Sequence, residues 1–169
     1  SFDIPVGGIT ALIDSAGSGK TTIADLLCRL ITPQNGDITI DGENLSGLDL
    51  LGWRSLIGYV PQERAIDRFL TGREHLQLLG DLYHLPKAQA TQRIQELLKL
   101  VDLEEHADRT AKTYSGGMKR KLDIACGLLP NPKILSPLQP LRLCCLRVMF
   151  QCVSRWGEAG AIFITNIFR

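Results

Sequence analysis

Apolar positions change their spacing along the chain, and each change marks an element. Ile9-Thr10-Ala11-Leu12-Ile13 is a short apolar run of the kind that forms a buried strand, and it leads directly into Ser15-Ala16-Gly17-Ser18-Gly19-Lys20. From Thr21 to Ile31 the apolar residues Ile23, Leu26, Leu27 and Leu30 recur at three- and four-residue steps, which predicts a helix. Gly36–Ile40 and Leu56–Val60 predict two more strands, the second ending at Pro61. Thr71-Gly72-Arg73-Glu74 has the form of a capping box and opens a helix carrying Leu76, Leu79 and Tyr83. Pro86 opens another, with Ile94, Leu97, Leu98 and Val101 on one face. A further helix follows Ser115-Gly116-Gly117, with Met118, Leu122, Ala125 and Leu129 as its stripe and Pro130 as its stop. Lys133-Ile134-Leu135 and Ala161–Thr165 predict the last strands.

Strands first, a helical middle and a return to strands predict an α/β domain in which a parallel sheet carries a helical insertion. At 169 residues, with 44% hydrophobic and 22% charged side chains, the chain is of single-domain size and can bury a core. A net charge of +1 gives no bulk field toward nucleic acid or a membrane surface. Its apolar runs are far shorter than the roughly 20 residues of a membrane-spanning helix, and Ser1-Phe2-Asp3-Ile4-Pro5 lacks the basic start and apolar core of a secretory signal. Cys28, Cys126, Cys144, Cys145 and Cys152 show no paired or zinc-type spacing, which suits reduced thiols in a cytosolic setting.

The chemistry concentrates at Gly17-Ser18-Gly19-Lys20-Thr21-Thr22, between a predicted strand and a predicted helix. Glycines there let successive N–H groups turn toward phosphate oxygens, and the helix start adds its dipole. Lys20 would reach the outer phosphates and the Thr21 hydroxyl would ligate Mg²⁺. The full pattern has glycine six residues before the lysine, where this chain has Asp14. A carboxylate beside a triphosphate is expected to weaken nucleotide affinity.

Two further motifs follow in order. Gly58-Tyr59-Val60-Pro61-Gln62 ends a strand with a glutamine, and Tyr114-Ser115-Gly116-Gly117-Met118-Lys119-Arg120 starts a helix. With the phosphate loop they resemble the nucleotide-binding domain of an ABC transporter over residues 1 to about 135. The wording around Ser115, with Thr71-Gly72-Arg73-Glu74-His75-Leu76 upstream, is most similar to bacterial drug- and antibiotic-exporter ATPases of the daunorubicin-resistance type.

The resemblance implies a P-loop NTPase (RecA-like) core of residues 1–62 and 115–169, incomplete at both ends, with a helical subdomain at residues 63–114. It implies ATP and Mg²⁺ as ligands, Gln62 at the metal and the attacking water, and Ser115, Gly116 and Gly117 at the γ-phosphate of the opposite subunit in a head-to-tail dimer. It also implies a separate membrane permease as partner, with the chain peripheral on the inner face of the cell membrane, and no nucleic acid.

The resemblance breaks after Leu135. Alignment on Pro140 places Leu138 where the family has its metal-binding aspartate and Gln139 where it has its catalytic glutamate. Leucine cannot ligate a metal, and glutamine cannot accept a proton at neutral pH. Ile167 stands where the family places a histidine after its last core strand. From Asp123 to Glu158 lie 34 residues without an acid, including Cys144, Cys145 and Cys152. Two accounts fit: a domain that binds nucleotide without cleaving it, and a reading-frame fault between about Leu135 and Arg147, which the acid-free stretch favours. A gene remnant that does not fold stably is a third. His75, His84 and His106 are expected at the surface, and Lys119-Arg120-Lys121 on a solvated face.

Overall fold

The computed structural model describes residues 3–4, 9–13, 19–60, 66–137 and 162–167. The elements run β1 (Ile9–Ile13), α1 (Lys20–Leu27), β2 (Thr39–Ile40), β3 (Glu43–Asn44), α2 (Leu50–Ser55), β4 (Ile57–Val60), α3 (Gly72–Leu82), α4 (Lys87–Leu100), α5 (Gly116–Leu128), β5 (Ile134–Pro137) and β6 (Ile162–Ile167). Four strands form one sheet in the order β1-β6-β5-β4, and every neighbouring pair is parallel. All four therefore end on the same edge, at Ile13, Ile167, Pro137 and Val60. The α/β class expected from the order of elements is the one observed.

Residues 36–40 behave differently from the sequence expectation. Only Thr39 and Ile40 are strand, and they pair antiparallel with Glu43 and Asn44 in a separate ribbon. Asp41 and Gly42 between them both have positive φ, 51° and 85°. An Asp-Gly pair is the residue choice that such a tight hairpin turn requires. The parallel sheet thus excludes this segment.

The helical middle and the sheet share one core. Val60 of β4 and Leu135 of β5 pack with Leu122, Ile124, Ala125 and Leu128 of α5, and the same cluster continues through Leu76 of α3 and Ile94, Leu97 and Leu98 of α4. Helix α5 is the bridge, because its residues are buried on more than one side. Glycine makes its approach to the sheet possible. A Cβ on Gly127 would lie 2.6 Å from Val60 Cγ2, and one on Gly58 would collide with the Gly127 carbonyl oxygen and lie 2.7 Å from Pro132 Cγ.

Burial on α5 also reaches Arg120, which was expected on a solvated face. Arg120 and Asp123 are both buried, one helical turn apart, with Arg120 Nη1 3.9 Å from Asp123 Oδ2. The reason is periodicity: Arg120 shares its face with Ile124 and Gly127, whereas Lys121 Nζ reaches Asp102 Oδ2 at 2.9 Å. Burial raises the Cys126 thiol to about 12, with the Asp123 charge adding to it, and raises Cys28 to about 11. These two thiols stay protonated and are poor nucleophiles.

Helix α3 begins with the full capping box. Glu74 N–H donates to Thr71 Oγ1 at 3.1 Å, and Thr71 N–H donates to Glu74 Oε2 at 2.7 Å. The Thr71 backbone N–H holds the Glu74 carboxyl below its usual range. Arg73 grips Asp108 through Nε at 2.7 Å, and that bond holds the Asp108 carboxyl low as well.

Short helix α2 has too few residues to show a helical period, and sequence spacing did not reveal it. Asp49 caps it by accepting from Gly52 N–H at 2.6 Å. Its role is to close the end of α1. Trp53 Nε1 donates to Leu27 O at 2.6 Å, and Arg54 donates to Cys28 O at 3.1 Å and Arg29 O at 2.9 Å. These are the carbonyls a helix terminus leaves without intrahelical partners, and a cation there also opposes the helix dipole. Arg54→Ala is expected to destabilise the chain by about 1 kcal/mol, lowering Tm by about 2–4 °C in thermal unfolding. An unchanged Tm would mean that water replaces the guanidinium without loss.

Candidate nucleotide site

The sheet edge where the four strands end is the edge from which the motif segments continue. The phosphate loop follows Ile13, Gln62 follows Val60 and Pro61, and Leu138 and Gln139 follow Pro137. Ile167, expected at the histidine position, is the last residue of β6 and is registered against Ile13. The ends of four strands far apart in sequence are therefore gathered at one edge. Ligands of open parallel α/β sheets bind at that carboxyl edge. Gly17, Ser18, Gln62, Leu138 and Gln139 themselves lie outside the described residues, as do Asp14 and Cys144, Cys145 and Cys152.

Gly19 does lie among them, and its backbone is left-handed, with φ 87° and ψ 12°. Among the described residues no atom lies within 4 Å of where its Cβ would stand, and its positive φ is what calls for glycine. It stands as the N-cap of α1 without any side-chain hydrogen bond to the helix. Lys20, Thr21 and Thr22 form the first turn, which has no acid, and both threonines are exposed. A helix start without a side-chain cap or a negative charge leaves backbone N–H groups and the positive dipole end facing outward, the arrangement that receives phosphate.

The start of α5 differs in carrying a side-chain cap. Ser115 is its N-cap, with Oγ accepting from Met118 N–H at 3.2 Å, and the first turn again has no acid. Ser115 and Gly116 are exposed. Among the described residues, a Cβ on Gly117 would meet only Ser115 Oγ, at 3.9 Å. Folding therefore does not require glycine at 117, since an alanine would fit and favour the helix. From Gly127, where α5 meets the sheet, Ser115 lies about 18 Å away along the helix axis.

His75 is buried, although it was expected at the surface. Its position gave the signal: it shares a helical face with Leu76, Leu79 and Gly80 of α3. Asp67 N–H donates to its Nε2 at 2.8 Å, so Nδ1 bears the proton and donates to Thr71 O at 3.0 Å.

Metal fit is limited to the motif hydroxyl. Among the described residues no group of three His, Cys, Asp or Glu side chains could hold a metal ion. The exposed Thr21 hydroxyl, beside the open start of α1, suits a hard Mg²⁺ that arrives with phosphate oxygens. No helix among the described residues is long and apolar enough to cross a membrane.

A parallel sheet with a glycine-started helix after β1, and a serine-capped, glycine-started helix packed on it, defines the class of nucleotide-binding P-loop domains. The family model described as ABC transporter matches residues 1–136, and the chain belongs to that family. The cholesterol transporter ABCA5 of Mus musculus is 39% identical over 136 residues, which cover 80% of this chain and 8% of that protein. The doxorubicin resistance ATP-binding protein DrrA of Mycobacterium tuberculosis (strain H37Rv) is 38% identical over 134 residues, covering 79% of this chain and 40% of that protein. The chain thus spans less than half the length of these relatives.

Solved structures agree on the fold. An ATP-binding cassette solved as a dimer in a post-hydrolysis state with ADP and Pi superposes with a TM-score of 0.79 at 27% identity, covering 98% of this chain and 77% of that one. The cbiO1 protein of Clostridium perfringens, part of the ABC transporter complex cbiONQ, gives 0.84 at 23% identity, covering 99% and 70%.

Proposed function

We propose that the chain binds Mg-ATP at the carboxyl edge of its sheet, as the ATP-binding part of an exporter whose membrane-spanning part is separate. Gly17, Ser18, Gly19, Lys20, Thr21 and Thr22 hold the phosphates, with Thr21 and Gln62 at Mg²⁺. Ser115, Gly116 and Gly117 meet the γ-phosphate held by a second subunit in a head-to-tail dimer. The observation that carries this reading is the left-handed Gly19 opening α1 without a side-chain cap. Similarity to the ABCA5 and DrrA proteins supports the transport role, and DrrA by its name supports a drug as cargo. Residues 1–62 and 115–169 form the nucleotide core in this reading and residues 63–114 the subdomain that meets the permease on the cytoplasmic side of the membrane.

Leu138 and Gln139 favour a specific form of it, in which the chain holds ATP and dimerises but cleaves it feebly. Neither side chain can bind the metal as an anion or take a proton from water. Equilibrium dialysis with Mg-ATP, sedimentation with and without ATP, and phosphate release together test this. The expected result is ATP binding that Lys20→Ala weakens about 10- to 100-fold, as loss of a charge-assisted phosphate contact does. ATP-dependent dimerisation with little release of phosphate is expected beside it. Binding that Lys20→Ala leaves unchanged would overturn the site, and steady turnover by the unaltered chain would overturn its feeble cleavage.

A further inference from the structure

The sequence has asparagines at Asn35, Asn44, Asn131 and Asn166, and the fold treats them unequally. Asn44 is held at both ends of its amide: Nδ2 donates to Asp37 Oδ1 at 2.9 Å, and Oδ1 accepts from Ser46 N–H at 2.9 Å. The N–H of the next residue, Leu45, is engaged as well, donating to Ile38 O at 2.8 Å. Asn131 Oδ1 accepts from Arg93 Nη2 at 3.1 Å, and Pro132 after it has no backbone N–H. Asn166 is followed by the β-branched Ile167 within β6.

Asn35 has none of these restraints. It and Gly36 are both exposed, in the bend between α1 and β2. Among the described residues no group bonds to the Asn35 amide or to the Gly36 N–H. Gly36 has φ 81°, and no described atom stands within 4 Å of where its Cβ would be. Having no Cβ, glycine also crowds its own nitrogen least. An uncrowded backbone nitrogen thus follows a side-chain amide that nothing holds away from it.

We propose that Asn35–Gly36 is a site of spontaneous covalent modification, at which the asparagine is converted to aspartate and isoaspartate in the folded protein. The deprotonated Gly36 nitrogen attacks Asn35 Cγ. A Cγ–N bond forms, the Cγ–Nδ2 bond breaks, and the Gly36 proton passes through solvent to the leaving ammonia. The product is a five-membered succinimide. Water then adds to one of its two carbonyls and opens the ring. One opening gives aspartate; the other gives isoaspartate, in which the main chain runs through the former side-chain carbon. One water is consumed and one ammonia released, with no oxidation or reduction. Either product carries a carboxylate where a neutral amide stood, two residues from Asp37, so the net charge falls by one from +1. The inference does not depend on what the sheet edge binds.

Incubation of the folded chain and of the urea-unfolded chain at mildly alkaline pH, followed by tryptic mass spectrometry, tests this, with circular dichroism to show that the first sample is folded. Asn35 and Asn44 fall in the same peptide, between Arg29 and Arg54, so fragmentation reads the free and the held asparagine side by side. Asn35 in the folded chain is expected to convert within about twofold of its rate in urea, because an exposed bend opens at almost no cost in free energy. Ammonia release, an acidic shift on isoelectric focusing and methylation by an isoaspartyl methyltransferase are expected beside it, and Asn35→Ser is expected to abolish all three. Conversion roughly tenfold slower in the folded chain than in urea would show that the fold protects the bend, and would overturn the proposal. Conversion of Asn44 as fast as that of Asn35, or ammonia release undiminished in Asn35→Ser, overturns it equally.

Discussion

Gly58→Ala is expected to lower Tm by about 10 °C, the largest stability loss of any single-methyl substitution discussed for this chain. The added methyl would collide with the backbone oxygen of Gly127 and lie 2.9 Å from Leu135 Cδ1. A backbone carbonyl in the last turn of α5 cannot rotate away as a side-chain tip can, so α5 must lift from β4. Overpacking of this kind costs about 3 kcal/mol, which for a domain of this size corresponds to roughly 6–12 °C. Circular dichroism melting is the measurement. Gly117→Ala is the control, since its methyl meets nothing closer than Ser115 Oγ at 3.9 Å. It should leave Tm within about 2 °C of the parent while weakening ATP-dependent dimerisation, because helix propensity favours alanine and ligand approach does not. Equal melting of Gly58→Ala and the parent would mean that α5 and β4 leave room for the methyl.

The second large effect concerns chemistry. Leu138→Asp combined with Gln139→Glu is expected to raise steady ATP turnover about 10²- to 10⁴-fold, the usual contribution of a positioned general base. Pro137, the residue before Leu138, ends β5 in register with Val60, the residue before Pro61 and Gln62. Carboxylates introduced there would enter the edge that already carries the other motif segments. One would supply an anionic ligand for Mg²⁺, and the other a proton acceptor for the attacking water. Phosphate release is the readout, and adding Lys20→Ala should abolish the gain. Turnover that stays at the parent level would show that more than two side chains separate this chain from a working ATPase.

Much of this is legible in the sequence. The capping box at Thr71 and Glu74, the serine cap at Ser115, the strand ending at Val60 and the glycine-started helix after β1 are local events. Each is set by residues within one or two turns, so spacing and capping chemistry suffice. Where the reading missed, the cause was long-range. Gly36–Ile40 has a strand's composition, but its partner is the neighbouring hairpin arm and not the parallel sheet. Helix α2 is six residues long and is held by tertiary bonds from Trp53 and Arg54 to α1. His75 and Arg120 are polar residues placed on buried stripes, and their types argued for the surface while their positions argued against it.

By itself the sequence determined the class of domain and offered the candidate phosphate loop Gly17–Thr22, because both depend on local patterns. It also put Leu138 and Gln139 where the resemblance implies an aspartate and a glutamate, since side-chain type is read directly from the sequence. Only the tertiary structure decided that β1, β4, β5 and β6 end on a common edge, because strand order is set by packing between segments remote in the chain. The pairing of residues 68–73 with residues 107–112 has the same origin. Its bonds run mostly between backbone groups, which every residue possesses, and so no choice of side chain announces them.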